Sequence, residues 1–125
     1  VPGAVVGRDV SAAEPLTVVD ARFRHSVCRW PFAGIPLDTL CATAASLGLS
    51  SVELLEPDEW AVARRHGLTC AMGYAPAGDP RTRLTVGWNR EANHAWLLPG
   101  YERGLALAAA AGVPNVICFS GNRAG

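Results

Sequence analysis

The stretch that decides the fold is residues 115–125, which read Asn-Val-Ile-Cys-Phe-Ser-Gly-Asn-Arg-Ala-Gly. The run from Val116 to Phe119 is continuously apolar and rich in β-branched and aromatic side chains. Such a run predicts a strand buried on both faces, as in a parallel sheet covered by helices. Polar and flexible residues begin at Ser120. Because sites in α/β folds form where parallel strands end, the end of this strand is a candidate site.

The segments before this strand alternate between strand and helix patterns. Three further runs are predicted to be strands, over residues 23–30, 51–55 and 68–72. Helical patterns separate these runs, so the predicted order is β-α-β-α-β-α-β. This alternation predicts an α/β fold with a parallel sheet and right-handed crossovers.

Three helices are predicted from apolar spacing and capping residues. The first begins after Pro36 and ends before Gly48, and its apolar residues recur three and four positions apart. The second follows Asp58, whose side chain is predicted to cap it. The third follows a long loop with Asn89 as its predicted cap, and its interior Pro99 predicts one kinked helix or two segments. Its predicted packed face comprises His94, Leu97, Leu98, Tyr101, Leu105, Ala108 and Gly112.

Composition describes an ordinary globular chain. Of 125 residues, 50% are hydrophobic and 18% are charged, which excludes a disordered or collagen-like chain. The net charge is zero, which argues against a nucleic-acid partner, and no apolar run is long enough to predict a membrane partner. The four cysteines form no CxxC pair, so buried reduced thiols are the favoured interpretation.

Two regions are expected from the change in pattern near residue 22. Residues 1–22 have no clean periodicity and are interpreted as an N-terminal extension or the remnant of a processed leader. Residues 23–125 carry the alternating strands and helices. The compartment stays open, because the protein could be cytoplasmic or exported after removal of a leader.

The residues at the ends of the predicted strands form a candidate binding rim. In parallel strands these ends gather at one edge of the sheet. Arginine binds carboxylate or phosphate in a bidentate manner and tryptophan covers an apolar sugar face, so the rim suits a small polyhydroxylated or carboxylated ligand. The alternative is that its arginines are solvated and its tryptophan plugs the rim. The candidate substrate-binding residues are Arg29, Trp30, Glu56, Met72, Ser120, Asn122 and Arg123.

Other polar residues carry weaker signals. Glu53 falls within a strand, and we expect it to point into a barrel or, more simply, to pair with an arginine. The spacing of Gly121 and Gly125 after a strand invites a phosphate-loop interpretation, but the third glycine and the Lys-Ser/Thr pair of the known fingerprints are missing.

Several segments together resemble the hydroxypyruvate isomerase-like branch of the xylose-isomerase-like TIM-barrel superfamily of sugar phosphate isomerases and epimerases. The similarity extends from about Arg24 to Gly125, and the Ala92-Asn-His94 run after Asn89 also looks like that branch. The segments are Ser-Val-Cys-Arg-Trp (26–30), Val-Glu-Leu-Leu-Glu-Pro (52–57), Gly-Leu-Thr-Cys-Ala-Met (67–72) and Val-Ile-Cys-Phe-Ser-Gly-Asn-Arg (116–123).

The resemblance implies that this chain supplies the first half of a (β/α)8 barrel, with four of its strands. It also implies an isomerase or epimerase that moves a proton between adjacent carbons of a hydroxy-carbonyl substrate through an enediolate. A divalent metal, Mg²⁺ or Mn²⁺, assists this reaction in the family. The family's catalytic and metal-binding carboxylates come from later strands, so no catalytic or metal residue is expected in this chain, and the chain alone is expected to be inactive.

The half-barrel interpretation also predicts a partner. Its two unpaired strand edges would pair with the missing C-terminal half or with a second copy of the chain. Pro99 and the long loop over residues 74–86 depart from the family pattern and leave the substrate open. A non-catalytic α/β module that binds a small anion, or that is purely structural, is the alternative. Abasic-site endonucleases of the same superfamily are disfavoured by the neutral charge.

Overall fold

A computed structural model of the chain describes residues 23–123. The extension predicted for residues 1–22, and Gly125 of the phosphate-loop pattern, lie outside the described residues. Short helical turns of the 3-10 type occupy Trp30–Phe32 and Glu91–Asn93. The main elements are β1 (Ser26–Cys28), α1 (Leu37–Ser46), β2 (Ser51–Glu53), α2 (Trp60–Arg65), β3 (Gly73–Tyr74), α3 (His94–Ala111) and β4 (Val116–Ile117).

The strands are short, and every recorded pairing between them is parallel. β1 pairs with β2, with Cys28 opposite Glu53, and β3 pairs with β4, with Gly73 opposite Val116. Single parallel bridges join β2 to the third strand segment, and the bridge nearest the carboxyl ends links Leu55 to Gly73. The four strands therefore lie side by side in chain order, which confirms the mixed α/β class with parallel strands.

One hydrophobic core holds the helices against these strands. The largest fully buried side chains are Leu55, Val52 and Cys41. The indole N–H of Trp60 donates to the carbonyl of Leu55 at 3.2 Å, so the largest core side chain also has its polar atom satisfied. All three helices contribute to this core, whose buried members are Leu40, Cys41, Ala44, Val52, Leu55, Trp60, Ala63, Leu68, Cys70, Ala108 and Val113.

The first helix follows the prediction from apolar spacing. Leu40, Cys41 and Ala44 are its buried residues. Gly48 has a φ of 76°, a left-handed conformation that costs glycine little, and the amide of Leu49 then donates to the carbonyl of Ala44 at 3.0 Å. The spacing of apolar residues determined the buried face of this helix, and Gly48 determined where it ends.

Both predicted caps from side chains are wrong. α2 begins at Trp60 with Glu59 at its cap position, and Asp58 makes no capping bond. The Glu59 carboxylate instead accepts a hydrogen bond from the Glu56 amide at 2.9 Å, which tightens the turn before the helix. Asn89 lies upstream of the start of α3, and its side chain donates to the carbonyl of Asn122 at 2.7 Å. A distant partner in the tertiary structure replaced the local cap.

The third helix is a single element with Pro99 inside it. Small residues let it approach the loop after β3, because a Cβ on Gly104 would lie 2.7 Å from the Cβ of Ala75. Gly112, with a φ of 72°, ends the helix. The predicted packed face is too wide, since Leu98 and Leu105 are more than half exposed. Only the stripe through Leu97, Gly104 and Ala108 is buried.

Two further expectations need correction. The predicted third strand over residues 68–72 is displaced, because the ladder with β4 forms at Gly73–Tyr74 and only a single bridge forms earlier, at Thr69. Among the cysteines, Cys41 and Cys70 are buried as expected, but Cys118 is exposed at the outer strand. No helix in the described part of the chain is long and apolar enough to cross a membrane.

We expect Leu55→Ala to lower the free energy of unfolding by about 2–5 kcal/mol, because it leaves a cavity at a fully buried position. Chemical denaturation followed by circular dichroism measures this loss. The matched control is Leu98→Ala on exposed helix surface, which should change stability by less than about 0.5 kcal/mol. Equal losses in the two variants would contradict the described core.

Candidate functional site

A cleft of about 510 Å³ lies at the edge of the sheet where the strands end. Residues at or just beyond the ends of all four strands contribute to it, and so does the long loop after β3. This is the edge at which α/β proteins place their ligands. The lining residues are Trp30, Leu54, Glu56, Tyr74, Pro80, Arg83, Leu84, Ile117 and Phe119.

Arg83, on the loop after β3, is held in the wall of this cleft by two neighbours. Its Nη2 donates to Oε1 of Glu56 at 2.5 Å. Its Cζ atom lies 3.8 Å from the centre of the Tyr74 ring, a cation–π contact. Only 12% of the Arg83 side chain is exposed, against 34% for Glu56. The guanidinium is therefore a partly desolvated charge with a fixed orientation.

The same guanidinium has hydrogen-bonding capacity to spare. Its Nη1 is buried and has no hydrogen-bond partner among residues 23–123. An unsatisfied buried polar group costs roughly 1–3 kcal/mol, and more when it is charged. An additional acceptor that reaches this N–H group would therefore be stabilising.

Leu54 connects the core to the cleft through an unusual backbone conformation. Its φ of 61° is the one positive value outside glycine in the described range. This conformation costs a residue with a Cβ about 1–2 kcal/mol. Regular alternation would place Leu55 on the opposite face from Val52, three positions earlier, yet both lie in the hydrophobic core, while Leu54 lines the cleft. Backbone strain of this kind concentrates at functional sites.

A backbone clip joins the far end of the long loop to the segment after β4. The amide of Asn89 donates to the carbonyl of Ser120 at 2.8 Å, and the amide of Asn122 donates to the carbonyl of Thr85 at 2.8 Å. Gly87 lies in the middle of this contact, where a Cβ would overlap the carbonyl oxygen of Phe119. The clip fixes the end of the loop that carries Arg83.

The predicted rim residues are only partly brought together. Trp30 and Glu56 line the cleft, and Trp30 is 67% exposed. Arg29 donates from Nη1 to the carbonyl of Phe32 at 2.5 Å, outside the lining. The other four also lie outside it: the Met72 amide donates to Glu53, the backbones of Ser120 and Asn122 form the clip, and Arg123 is exposed. A ligand contact at these five residues stays a prediction.

Glu53 does not pair with an arginine among residues 23–123. The buried carboxylate accepts from the Ser51 hydroxyl and, at 2.7 Å, from the amide of Met72. The expected ion pair is therefore replaced by one hydrogen bond within β2 and one from the neighbouring strand segment. A backbone amide supplies what an arginine side chain was expected to supply.

Sequence reasoning missed Arg83 and Tyr74, the two residues that define the wall of the cleft. The loop length did indicate a binding loop, but a loop pattern does not reveal which of its side chains turns inward. Arg81, two positions earlier, illustrates the difficulty. Its side chain is 88% exposed and pairs with Asp79 at 2.7 Å within the loop. Only the tertiary contact with Glu56 separates the inward arginine from the outward one.

No group of three or more His, Cys, Asp or Glu side chains in residues 23–123 is placed to hold a metal ion. The resemblance assigns the metal-binding carboxylates to later strands, so the divalent metal stays a prediction for a longer protein. Comparison with protein-family models and with curated proteins gives no match for this chain.

Burial raises the pKa of Tyr74 above its ordinary value of 10.0, against the opposing effect of the Arg83 charge. Burial also raises the pKa of Tyr101, whose hydroxyl donates to the carbonyl of Ile117 at 3.2 Å. We expect both tyrosines to ionise above pH 10.0 in the folded chain. The unfolded chain loses these protons first, so the free energy of unfolding should fall as the pH rises from 10.0 through the folded pKa values.

Tyrosinate absorbance during an alkaline titration measures this shift. The unfolded chain in denaturant is the reference, and Tyr101→Phe isolates the ionisation of Tyr74. Coincident titration curves for the folded and unfolded chains would contradict the burial described here.

We expect Gly87→Ala to open the clip, because the added methyl group overlaps the carbonyl oxygen of Phe119. Hydrogen exchange at the amides of Asn89 and Asn122 should accelerate by about tenfold or more. The matched control is Gly34→Ala, where a Cβ meets no atom within 4 Å and the φ is not left-handed. Unchanged exchange at both amides in Gly87→Ala would show that the clip does not hold the loop.

Proposed function

We propose that this chain is the N-terminal, substrate-binding part of a sugar or hydroxy-acid isomerase or epimerase, similar to hydroxypyruvate isomerases. The catalytic and metal-binding carboxylates belong, on this proposal, to a C-terminal segment that completes a (β/α)8 barrel. The observation that carries the proposal is the cleft at the carboxyl ends of four parallel strands, with Glu56 and Arg83 in its wall. In barrel enzymes this edge is the substrate site.

Apolar surface beside both outer strands supports a continuing barrel. A groove of about 220 Å³ runs beside β1 and α1 and is lined mainly by apolar side chains, including Val27, Ile35 and Leu47. A second groove, of about 430 Å³, lies between α3 and β4 and includes Leu105 and Val116. Further strands and helices on either side would bury these surfaces and pair the strand edges.

The proposed reaction moves one proton between adjacent carbons. In the case of hydroxypyruvate, C3 loses a proton and an enediolate forms. C2 then gains a proton while the hydroxyl proton passes from O3 to O2, which gives tartronate semialdehyde. Residues 23–123 supply binding and orientation, because Glu56 is the one carboxylate that lines the cleft and it is already paired with Arg83. The groups that abstract and return the proton are therefore assigned to the segment beyond this chain.

A non-catalytic module that binds a small anion is the second candidate. The observation that favours it is the buried Nη1 of Arg83, which lacks a partner among residues 23–123 and needs only an acceptor. This candidate requires the same cleft but no proton transfer. Binding without exchange of substrate protons would distinguish it from the isomerase.

We expect the protein made from the full reading frame containing this chain to exchange the C3 protons of hydroxypyruvate with D₂O in the presence of Mg²⁺ or Mn²⁺. The rate should exceed the uncatalysed rate by at least about a hundredfold, because positioned acid–base groups contribute that much. Proton NMR of the substrate measures the exchange.

The matched control is the 125-residue chain alone, which should show only the uncatalysed rate. An intact mass of the longer protein near twice that of this chain, 13.1 kDa, would agree with a complete barrel. Absence of exchange in the longer protein with either metal would overturn the isomerase proposal.

A further inference from the structure

We propose that Arg83 binds the carboxylate of a ligand whose remaining body is planar or apolar, and that Glu56 competes with this ligand for the guanidinium. This inference deepens the proposed binding function of the cleft, but it does not depend on the isomerase reaction. It adds Arg83, a binding residue that the sequence pattern did not indicate, and it selects a carboxylate from the small polyhydroxylated or carboxylated ligands expected from the sequence.

The first support is the fixed position of the guanidinium. Tyr74 lies against its face at 3.8 Å, and Glu56 holds one edge through Nη2. The loop that carries Arg83 is tied at its far end by the clip between Asn89 and Ser120. A side chain ordered in this way loses little further conformational entropy when it binds a ligand.

The second support is the surplus of donors. A guanidinium presents a planar fork of N–H groups that matches a carboxylate, and it binds both carboxylate oxygens at once. The recorded contact with Glu56 uses Nη2 and one carboxylate oxygen, while Nη1 is buried without a partner in the described range. A second carboxylate that engages two N–H groups would therefore satisfy more of the guanidinium than Glu56 does.

The third support is the chemistry of the remaining wall. Apart from Glu56 and Arg83, the lining is aromatic or aliphatic, and it includes Trp30, Tyr74 and Phe119. A cleft of about 510 Å³ falls within the range of small-molecule sites and exceeds the volume of a three-carbon acid. The structure thus favours an acid with an aromatic or branched aliphatic body over a polyhydroxylated one.

Glu56 and Arg83 should have opposite effects on the binding of an anion. The Glu56 carboxylate neutralises the guanidinium charge that would attract an anionic ligand. Glu56 remains one-third exposed, so a ligand can displace it. Removal of the Glu56 charge should strengthen binding of an anion, whereas removal of the Arg83 charge should weaken it. A purely structural ion pair would not produce opposite effects in the two variants.

The experiment measures binding of phenylpyruvate to the full 125-residue chain by isothermal titration calorimetry. We expect Arg83→Gln to weaken binding by about tenfold or more and Glu56→Gln to strengthen it by about threefold or more. Arg83→Lys should give partial recovery, because lysine keeps the charge and loses the fork. The matched control is Arg81→Gln, an exposed arginine of the same loop, which should leave affinity within about twofold.

Two further probes separate the ligand's charge from its body. The methyl ester of phenylpyruvate lacks the carboxylate and should bind about tenfold more weakly, and hydroxypyruvate lacks the apolar body and should also bind more weakly. Circular dichroism establishes that each variant folds. Equal affinity for the acid and its ester, unchanged affinity in Arg83→Gln, or no binding of phenylpyruvate to a folded chain would each overturn the inference.

The outcome is separable from that of the proton-exchange experiment. Exchange of hydroxypyruvate protons by the longer protein, with no role for Arg83 in binding, would remove this inference and leave the isomerase proposal standing. Carboxylate binding through Arg83 without any exchange would do the reverse.

Discussion

Backbone hydrogen bonds along both edges of β2 hold the strands in one layer. On one edge the amide of Arg29 donates to the carbonyl of Glu53 at 3.0 Å. On the other edge the amide of Val52 donates to the carbonyl of Thr69 at 3.0 Å, and that of Leu54 to Met72 at 2.8 Å. Because both edges are satisfied, this strand can be buried without unpaired main-chain groups. The helices pack on the layer that results.

The end of β2 couples this core to the cleft. Leu55 is fully buried, while Leu54 and Glu56 on either side of it line the cleft. The positive φ of Leu54 interrupts the alternation of the strand, so that Leu55 joins Val52 in the core. Burial of Leu55 and the indole hydrogen bond to its carbonyl offset the local strain. The position of Glu56 relative to Arg83 therefore depends on packing in the core.

The outer strands, unlike β2, each have an unpaired edge among residues 23–123. β1 and β4 pair on one side only in the described part of the chain, and apolar grooves run beside both. Leu105, which lines the groove beside β4, is more than half exposed. Unpaired parallel edges beside apolar surface favour further pairing. This arrangement is what the proposed continuation of the barrel explains.

Local sequence by itself determined the class of fold and the order of its elements. Apolar spacing placed α1, and the glycines at 48 and 112 ended α1 and α3, because backbone conformation and periodicity act over a few residues. It also located one edge of the sheet as the candidate site, with Trp30 and Glu56 at the cleft.

Only the tertiary structure decided which side chains meet. The Asn89 side chain does not cap α3 but donates a hydrogen bond to the segment after β4. The Glu53 carboxylate accepts from a backbone amide and does not pair with an arginine in the described part of the chain. Arg83 and Arg81 differ by two positions in one loop, yet one is held in the cleft by Glu56 and the other is exposed. Such choices depend on contacts between residues far apart in the chain, which local periodicity and propensity do not encode.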